Sequence, residues 1–314
     1  MINKKNKIKQ FIKFLQCPRT KESLKINKHL NCLCTTISKK CYKINKMSVA
    51  LFDPTCQQGD AKIQKNHYEN ISKAYIDNLE YIHTKEYSKY FDEVLLKIAK
   101  KNRLGNMAEV CCGRGEAMLL FQNQYKNAVG VDISEVMLNS NLQILNNDNC
   151  ILVQGNALKL PLKSNKFNSV VMLGGIHHVN QREKLFSEVY RILKPGGSLI
   201  FREPVNDFFL WKWLRAVIYR ISPALDAETE RPLRYTETRH QLLQAGLKLL
   251  FWETHGFIGF CLFMNSDVLV FNRIFHFVPG IRIIIKMFVK IDKILLKFPF
   301  SKGWGLQVVA MATK

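Results

Sequence analysis

The chain of 314 residues is 47% hydrophobic and 23% charged, usage that excludes a disordered, collagen-like or coiled-coil protein and leaves room for about two domains. Basic residues outnumber acidic ones 47 to 25, and the net charge of +22 favours polyanionic partners, either nucleic acid or an anionic lipid surface. A lysine-rich genome would produce the same excess, and the two causes weigh equally.

Residues 1–58 form the first compositional region. Positions 1–50 carry thirteen basic side chains against Glu22 alone, and Cys17, Cys32, Cys34, Cys41 and Cys56 are five of the nine cysteines. Nine is odd and no apolar signal segment precedes them, so free thiols in a reducing, cytoplasmic compartment are expected. The start, MINKKNKIKQFIKFLQ, reads as a surface helix or arm. Cys17, Cys32, Cys34 and Cys41 lack the paired C-x-x-C spacing of a zinc knuckle, and no metal is expected.

Residues 59–255 alternate two periodicities. From Tyr68 to Lys101 apolar residues recur at helical spacing with no Pro or Gly, which predicts one or two helices. Then AEVCC, AVGVD, CILVQ, SVVML and GSLIF are strand-length apolar runs, each followed by a turn and a helix-length segment. Such alternation predicts a parallel sheet covered on both faces. The sharpest motif is Glu109-Val-Cys-Cys-Gly113-Arg-Gly115-Glu at the end of the first of these strands, followed by Val129-Gly-Val-Asp132. Glycines let the backbone turn tightly against a ligand, and an acid at the next strand tip can accept both hydroxyl hydrogens of a ribose. A dinucleotide fingerprint would place a third glycine where Met118 stands, which argues against NAD or FAD.

The ordered set AEVCCGRGEA, VGVDIS, VQGNALKLPLKSNKFNSVV, GGIHHV and EVYRILKPGGSLIFREPV resembles the successive motifs of class I S-adenosylmethionine-dependent methyltransferases, over roughly residues 106–205. The resemblance implies an α/β, Rossmann-like seven-stranded sheet whose last strand is antiparallel, with LQVVAMATK as that strand. It implies S-adenosylmethionine as cofactor. Glu109 would orient the methionine amino end, and the turn through Cys111, Gly113 and Gly115 would pass beneath the homocysteine portion. Asp132 would hold the ribose, Asn156 and Ala157 would meet the adenine, and Gly174 would offer backbone to the methionine amine. Cys111 stands where the family has a glycine, and Asn168 where it has an Asp. His177 and His178, just past the fourth strand, are the candidate bases, needed only if the acceptor carries a proton.

Phe208 to Ile221 is dense in aromatics, where the resemblance places a lid over the acceptor; a plain amphipathic helix on the sheet is compatible with it. In the last region, 256–314, the stretch Ile281 to Lys297 puts Arg282, Lys286, Lys290, Lys293 and Lys297 on one cationic stripe of an otherwise apolar helix. Either an interfacial helix on an anionic leaflet or a docked helix with one wet stripe gives this pattern. With no apolar run of about 18 residues, no membrane-spanning segment is expected. The N-terminal QCPRTKESLKINKHLNCLC…CYKINKMSVALFD resembles the small zinc-ribbon-like domain of methyltransferase activators. Together these features imply a methyltransferase of a hydrophobic or lipid-like small molecule, in peripheral contact with an anionic membrane. Two other readings are a tRNA-modifying methyltransferase gripping phosphates through the basic N-terminal region, and a cofactor-binding scaffold inactivated by Cys111.

Overall fold

The computed structural model describes residues 4–27, 29, 31–47, 49–52, 59–221, 230–264 and 270–314. Helix α1 (Lys4–Phe11) leads to a small antiparallel sheet, β1 (Leu24–Asn27), β2 (Cys32–Thr35) and β3 (Cys41–Lys43), and then to β4 (Ala50–Leu51). Two long helices follow, α2 (Gly59–Glu80) and α3 (Ile82–Lys101), earlier in starting than the periodicity predicts. The alternating core runs β5 (Gly105–Val110), α4 (Glu116–Leu120), β6 (Tyr125–Asp132), α5 (Glu135–Asn139), α6 (Leu142–Asn146), β7 (Cys150–Gln154), β8 (Phe167–Leu173), α7 (Arg182–Ile192) and β9 (Leu193–Pro204). After α8 (Phe209–Ile221) and α9 (Tyr235–Gln244) come β10 (Lys248–His255), α10 (Ile258–Phe263), α11 (Ile281–Leu295) and β11 (Gln307–Thr313).

The large sheet has the order β10-β11-β9-β8-β5-β6-β7-β4, with β11 antiparallel to both neighbours and the other pairings parallel. Seven strands are the expected ones. The eighth, β4, is a two-residue addition from the N-terminal region, paired at Ala50 with Val153 and at Leu51 with Gln154. Strand β5 sits where the order reverses, so the loops after β5 and β8 open a crevice at the carboxyl end of the sheet.

Because side chains alternate along each strand, the sheet has two cores. Ala108, Val110, Val129 and Val131 face one side, packed under α7, α9, α1 and the small sheet; Met107, Ala128, Leu152 and Val171 face the other, under α3, α8, α10 and α11. The basic N-terminal helix is thus a surface helix with a buried underside: Phe11 and Phe14 are enclosed, and the Phe14 ring stands 5.5 Å from that of Phe167. Each such fully buried side chain contributes about 1.5–3 kcal/mol.

One cysteine pair departs from the expectation of free thiols. The register of β2 and β3 sets Cys34 directly opposite Cys41 with Cα atoms 4.1 Å apart, and the two are joined as a disulfide. Cys32 Sγ lies 3.3 Å from Cys34 Sγ, so three sulfurs gather at one place. Cys17 is apart from them, its thiol 3.1 Å from the Tyr42 hydroxyl.

Helix α11 docks on α3 through a buried acid. Asp292 accepts hydrogen bonds from the Tyr87 hydroxyl at 2.6 Å and from the backbone amides of Phe257 and Gly259 at 2.9 and 3.1 Å. The sole acidic residue of α11 therefore faces inward and serves as an anchor between helices.

A candidate cofactor cleft at the switch point of the sheet

The cleft lies beyond the carboxyl ends of β5, β6, β7 and β8 and encloses about 1030 Å³ of empty space, its open mouth included. Its walls come from the loops after those four strands, and α2 crosses it with Asp60, Gln64 and Tyr68. Those three recur every four residues, so one helical face lies against the cleft. Sequence reasoning missed them; their polar residues at helical spacing were the available signal.

Of the residues expected to hold cofactor, Glu109, Cys111, Gly113, Asp132, Asn156, Ala157 and Gly174 all line this one cleft. Gly115 does not. It sits in the left-handed region at φ 78°, turning the chain into α4. Glu109 is buried, and its two carboxylate oxygens accept from the amides of Ala117 and Met118, each at 2.9 Å. It therefore caps α4 and fixes the loop, rather than extending its oxygens toward a ligand. Burial pushes its carboxyl up to about 8, against the pull of those two amides.

Asp132 sits at the tip of β6, half-buried in the cleft wall. One oxygen accepts from Gly113 N at 2.7 Å and the other from Ser134 N at 2.9 Å, so the carboxylate bridges the loops after β5 and β6. Burial raises its pKa, opposed by the same two amides. A carboxylate offers about four acceptor positions, so a ligand diol can still be received beside these two bonds. Asn156 spends its side-chain oxygen differently from the expectation: it accepts from Leu158 N at 2.8 Å, capping the turn over Ala157–Lys159.

Cys111 lines the cleft without closing it. Its backbone is left-handed at φ 55°, a conformation that costs a non-glycine residue roughly 1–2 kcal/mol. Its Cβ explains the second glycine of the GGIHHV motif, because a Cβ at Gly175 would stand 2.3 Å from that of Cys111. Gly174, at φ 78°, has nothing within 4 Å of where a Cβ would be. Replacing Cys111 by Gly is expected to widen the loop and tighten S-adenosylmethionine binding about three- to tenfold, or up to ~1.4 kcal/mol. Cys111→Val should weaken it, since a branched side chain fits a left-handed residue poorly. Calorimetric titration of both variants checks the pair of signs.

The two candidate bases separate. His178 lines the cleft, its Nε2 within 2.5 Å of the Tyr68 hydroxyl. His177, one residue earlier in the 3-10 turn Ile176–His178, does not line the cleft. It turns to Glu203, with Nδ1 2.8 Å from a carboxylate oxygen. Burial, with Arg215 and Arg182 nearby, lowers the His177 pKa. Glu203, fully buried at the end of β9, also accepts from the amides of Gly175 and Ile176 at 2.8 Å each and of His177 at 3.3 Å. It holds the whole loop after β8 in place. The sequence offered it only as one letter of a strand.

The aromatic segment after β9 forms the amphipathic helix α8. Helix α8 contributes no side chain to the cleft among the described residues; Phe208 and Trp211 instead pack into the core on the α3 side of the sheet.

Against this geometry the comparisons are specific. Residues 108–201, from within β5 to within β9, match the family model described as a methyltransferase domain. The chain carries a methyltransferase domain. The demethylmenaquinone methyltransferase of Listeria monocytogenes is 30% identical over 148 residues, which are 45% of this chain and 62% of the Listeria protein. The one from Symbiobacterium thermophilum is 36% identical over 110 residues, 33% of this chain and 44% of that protein. The chain therefore spans less than two thirds of the length of the curated relatives it matches. A solved S-adenosylmethionine-dependent methyltransferase of Thermotoga maritima, described as a possible histamine N-methyltransferase, shares the fold with a TM-score of 0.51 at 19% identity, over 79% of this chain and 99% of that one.

S-adenosylmethionine is the cofactor of this fold family, and the chemistry of the cleft suits it. A methyltransferase domain with a carboxylate at the β6 tip can receive a sugar diol. Val131, Ile133 and Met137 give an apolar wall for a purine, and Gly113, Gly155 and Gly174 bring bare backbone to the rest.

Proposed function

We propose that the protein transfers the methyl group of S-adenosylmethionine to a hydrophobic aromatic small molecule of the quinol kind. The observation that supports this most is the convergence of Asp132, the Gly113 loop and Gly174 on one cleft, inside a domain whose curated relatives act on demethylmenaquinone. In this reading Asp132 holds the ribose hydroxyls, and Asn156 and Ala157 border the adenine. The backbone at Cys111, Gly113 and Gly174 flanks the methionine portion, while Glu109 and Glu203 keep the two loops rigid.

The bound cofactor supplies an electrophilic methyl carbon on a sulfonium, a good leaving group. Alignment then carries much of the acceleration, worth up to ~7–11 kcal/mol for well-oriented reactants. His178, paired with Tyr68 at the cleft, is placed to take a proton from an acceptor hydroxyl or from a ring carbon as it is methylated. His177 has no part in this, since its ring serves Glu203.

The test is methyl transfer from labelled cofactor to demethylmenaquinol, a short-chain naphthoquinol and bulk tRNA. Label in the quinol fraction, reduced about a hundredfold by His178→Asn with cofactor affinity retained, is the expected result. Label in tRNA, or cofactor binding with no transfer to any acceptor, overturns it in favour of the tRNA enzyme or the inactive scaffold.

A further inference from the structure

Helix α11 uses only one of its two apolar faces inside the protein. Ile281 and Ile285 are buried beside Asp292, against α3. On the far side Ile283 (68% exposed), Met287 (57%), Ile291 and Ile294 form a second apolar line along the helix. Immediately beside it runs the stripe of Arg282, Lys286, Lys290, Lys293 and Lys297, all exposed. Lys286 lies 4.0 Å from Glu86 and Lys293 sits over the Tyr90 ring; Arg282, Lys290 and Lys297 have no ion pair recorded among the described residues.

The segments flanking α11 extend the same surface. Phe277 is 80% exposed just before it, and Phe298 and Phe300 (71%) stack with ring centres 5.6 Å apart just after it. From Phe300 a chain of rings runs through Trp304 and Phe208 to Phe209, at 5.7, 5.0 and 5.5 Å. Phe208 is buried, so the chain passes beneath the surface before it reaches the exposed Phe209, Leu210 and Trp213 of α8. A protein surface rarely carries so many exposed large apolar side chains along one helix and its flanks without a partner.

We propose that this surface rests on an anionic phospholipid bilayer, with α11 parallel to the membrane plane, its outer apolar line among the acyl chain ends and its cations at the headgroups. Charge complementarity selects that occupant. The one acid of α11 is buried as an anchor, so the outer arc holds apolar groups and positive charges without an anion. A second copy seated on this face across a two-fold axis would bring cation stripe against cation stripe. Nucleic acid would meet the cations and leave Phe277, Phe300 and Trp213 uncovered. No described helix is long and apolar enough to cross a membrane, so the contact is lateral.

The experiment uses the full chain with phosphatidylcholine vesicles containing or lacking phosphatidylglycerol. Binding at least tenfold stronger to the anionic vesicles, weakened by salt, is expected. Lys286→Glu with Lys290→Glu should remove that preference. Met287→Gln with Phe300→Ser should weaken binding at least tenfold and leave its salt dependence unchanged. None of these residues lines the cleft, so each variant should bind S-adenosylmethionine as the parent does. Loss of vesicle binding with intact cofactor affinity thus speaks to this surface alone, and failure of the methyl-transfer reading leaves the vesicle result standing. Equal binding to neutral vesicles, no binding to either, tRNA binding abolished by the charge reversals, or a dimer dissolved by the apolar pair would each overturn the proposal.

Discussion

Replacing Asp132 by Ala is expected to lower S-adenosylmethionine affinity by at least a hundredfold in calorimetric titration. Two charge-assisted hydrogen bonds to a ribose diol contribute about 1.5–3 kcal/mol each, so their joint loss exceeds 2.7 kcal/mol. The same change orphans the amides of Gly113 and Ser134. Both lie next to the cleft, where water can replace the carboxylate, so melting of the cofactor-free protein should fall only modestly. Asp132→Asn separates the two contributions. Its amide nitrogen would face one of the backbone donors, and it offers a single oxygen, so affinity should drop nearly as far as in the Ala variant. Unchanged affinity in either variant would remove the ribose role from Asp132.

Glu203→Ala is expected to cause the largest loss of stability of any single change near the cleft. It leaves three amides and the His177 ring nitrogen without their buried acceptor. Each unsatisfied donor costs about 1–3 kcal/mol, partly offset by relaxation, so a net cost of roughly 3–5 kcal/mol is expected. At about 2 °C per kcal/mol for a protein of this size, the melting temperature should fall by about 6–10 °C. Transfer should disappear with it, since His178 and Gly174 belong to the loop that Glu203 pins. Glu203→Gln keeps an acceptor for Gly175 and Ile176 while setting an NH₂ group against His177, and should lose about half as much. Thermal melts of the three proteins, read beside cofactor titrations, check the order.

The sheet was legible in the sequence because buried parallel strands are continuous apolar runs and their tips carry distinctive turns: Gly113 to Gly115, Asp132, Asn156 and Gly174 are all neighbours of strand ends. Residues that enter the cleft from elsewhere were not legible. Asp60, Gln64 and Tyr68 arrive on α2, more than forty residues ahead of Glu109, and nothing local announces which helical face lies over the sheet. His177 and His178 could not be told apart, because a 3-10 turn sends successive side chains in different directions and only the buried Glu203 decides which goes inward. The cationic stripe of α11 was equally compatible with docking and with an interfacial helix. The structure shows a docked inner face and an exposed outer one on the same helix, a division set by Asp292 that periodicity alone does not reveal.

Strand β11 fills the slot between β9 and β10, pairing along Gln307–Thr313 with both. Its partners leave the ribosome long before it does, β9 ending at Pro204 and β10 at His255. Until residues 307–313 are synthesised, the facing edges of β9 and β10 have no strand between them. Bare strand edges template pairing with other chains, so the stretch of synthesis that makes α10 and α11 is the one in which this sheet is most open to association.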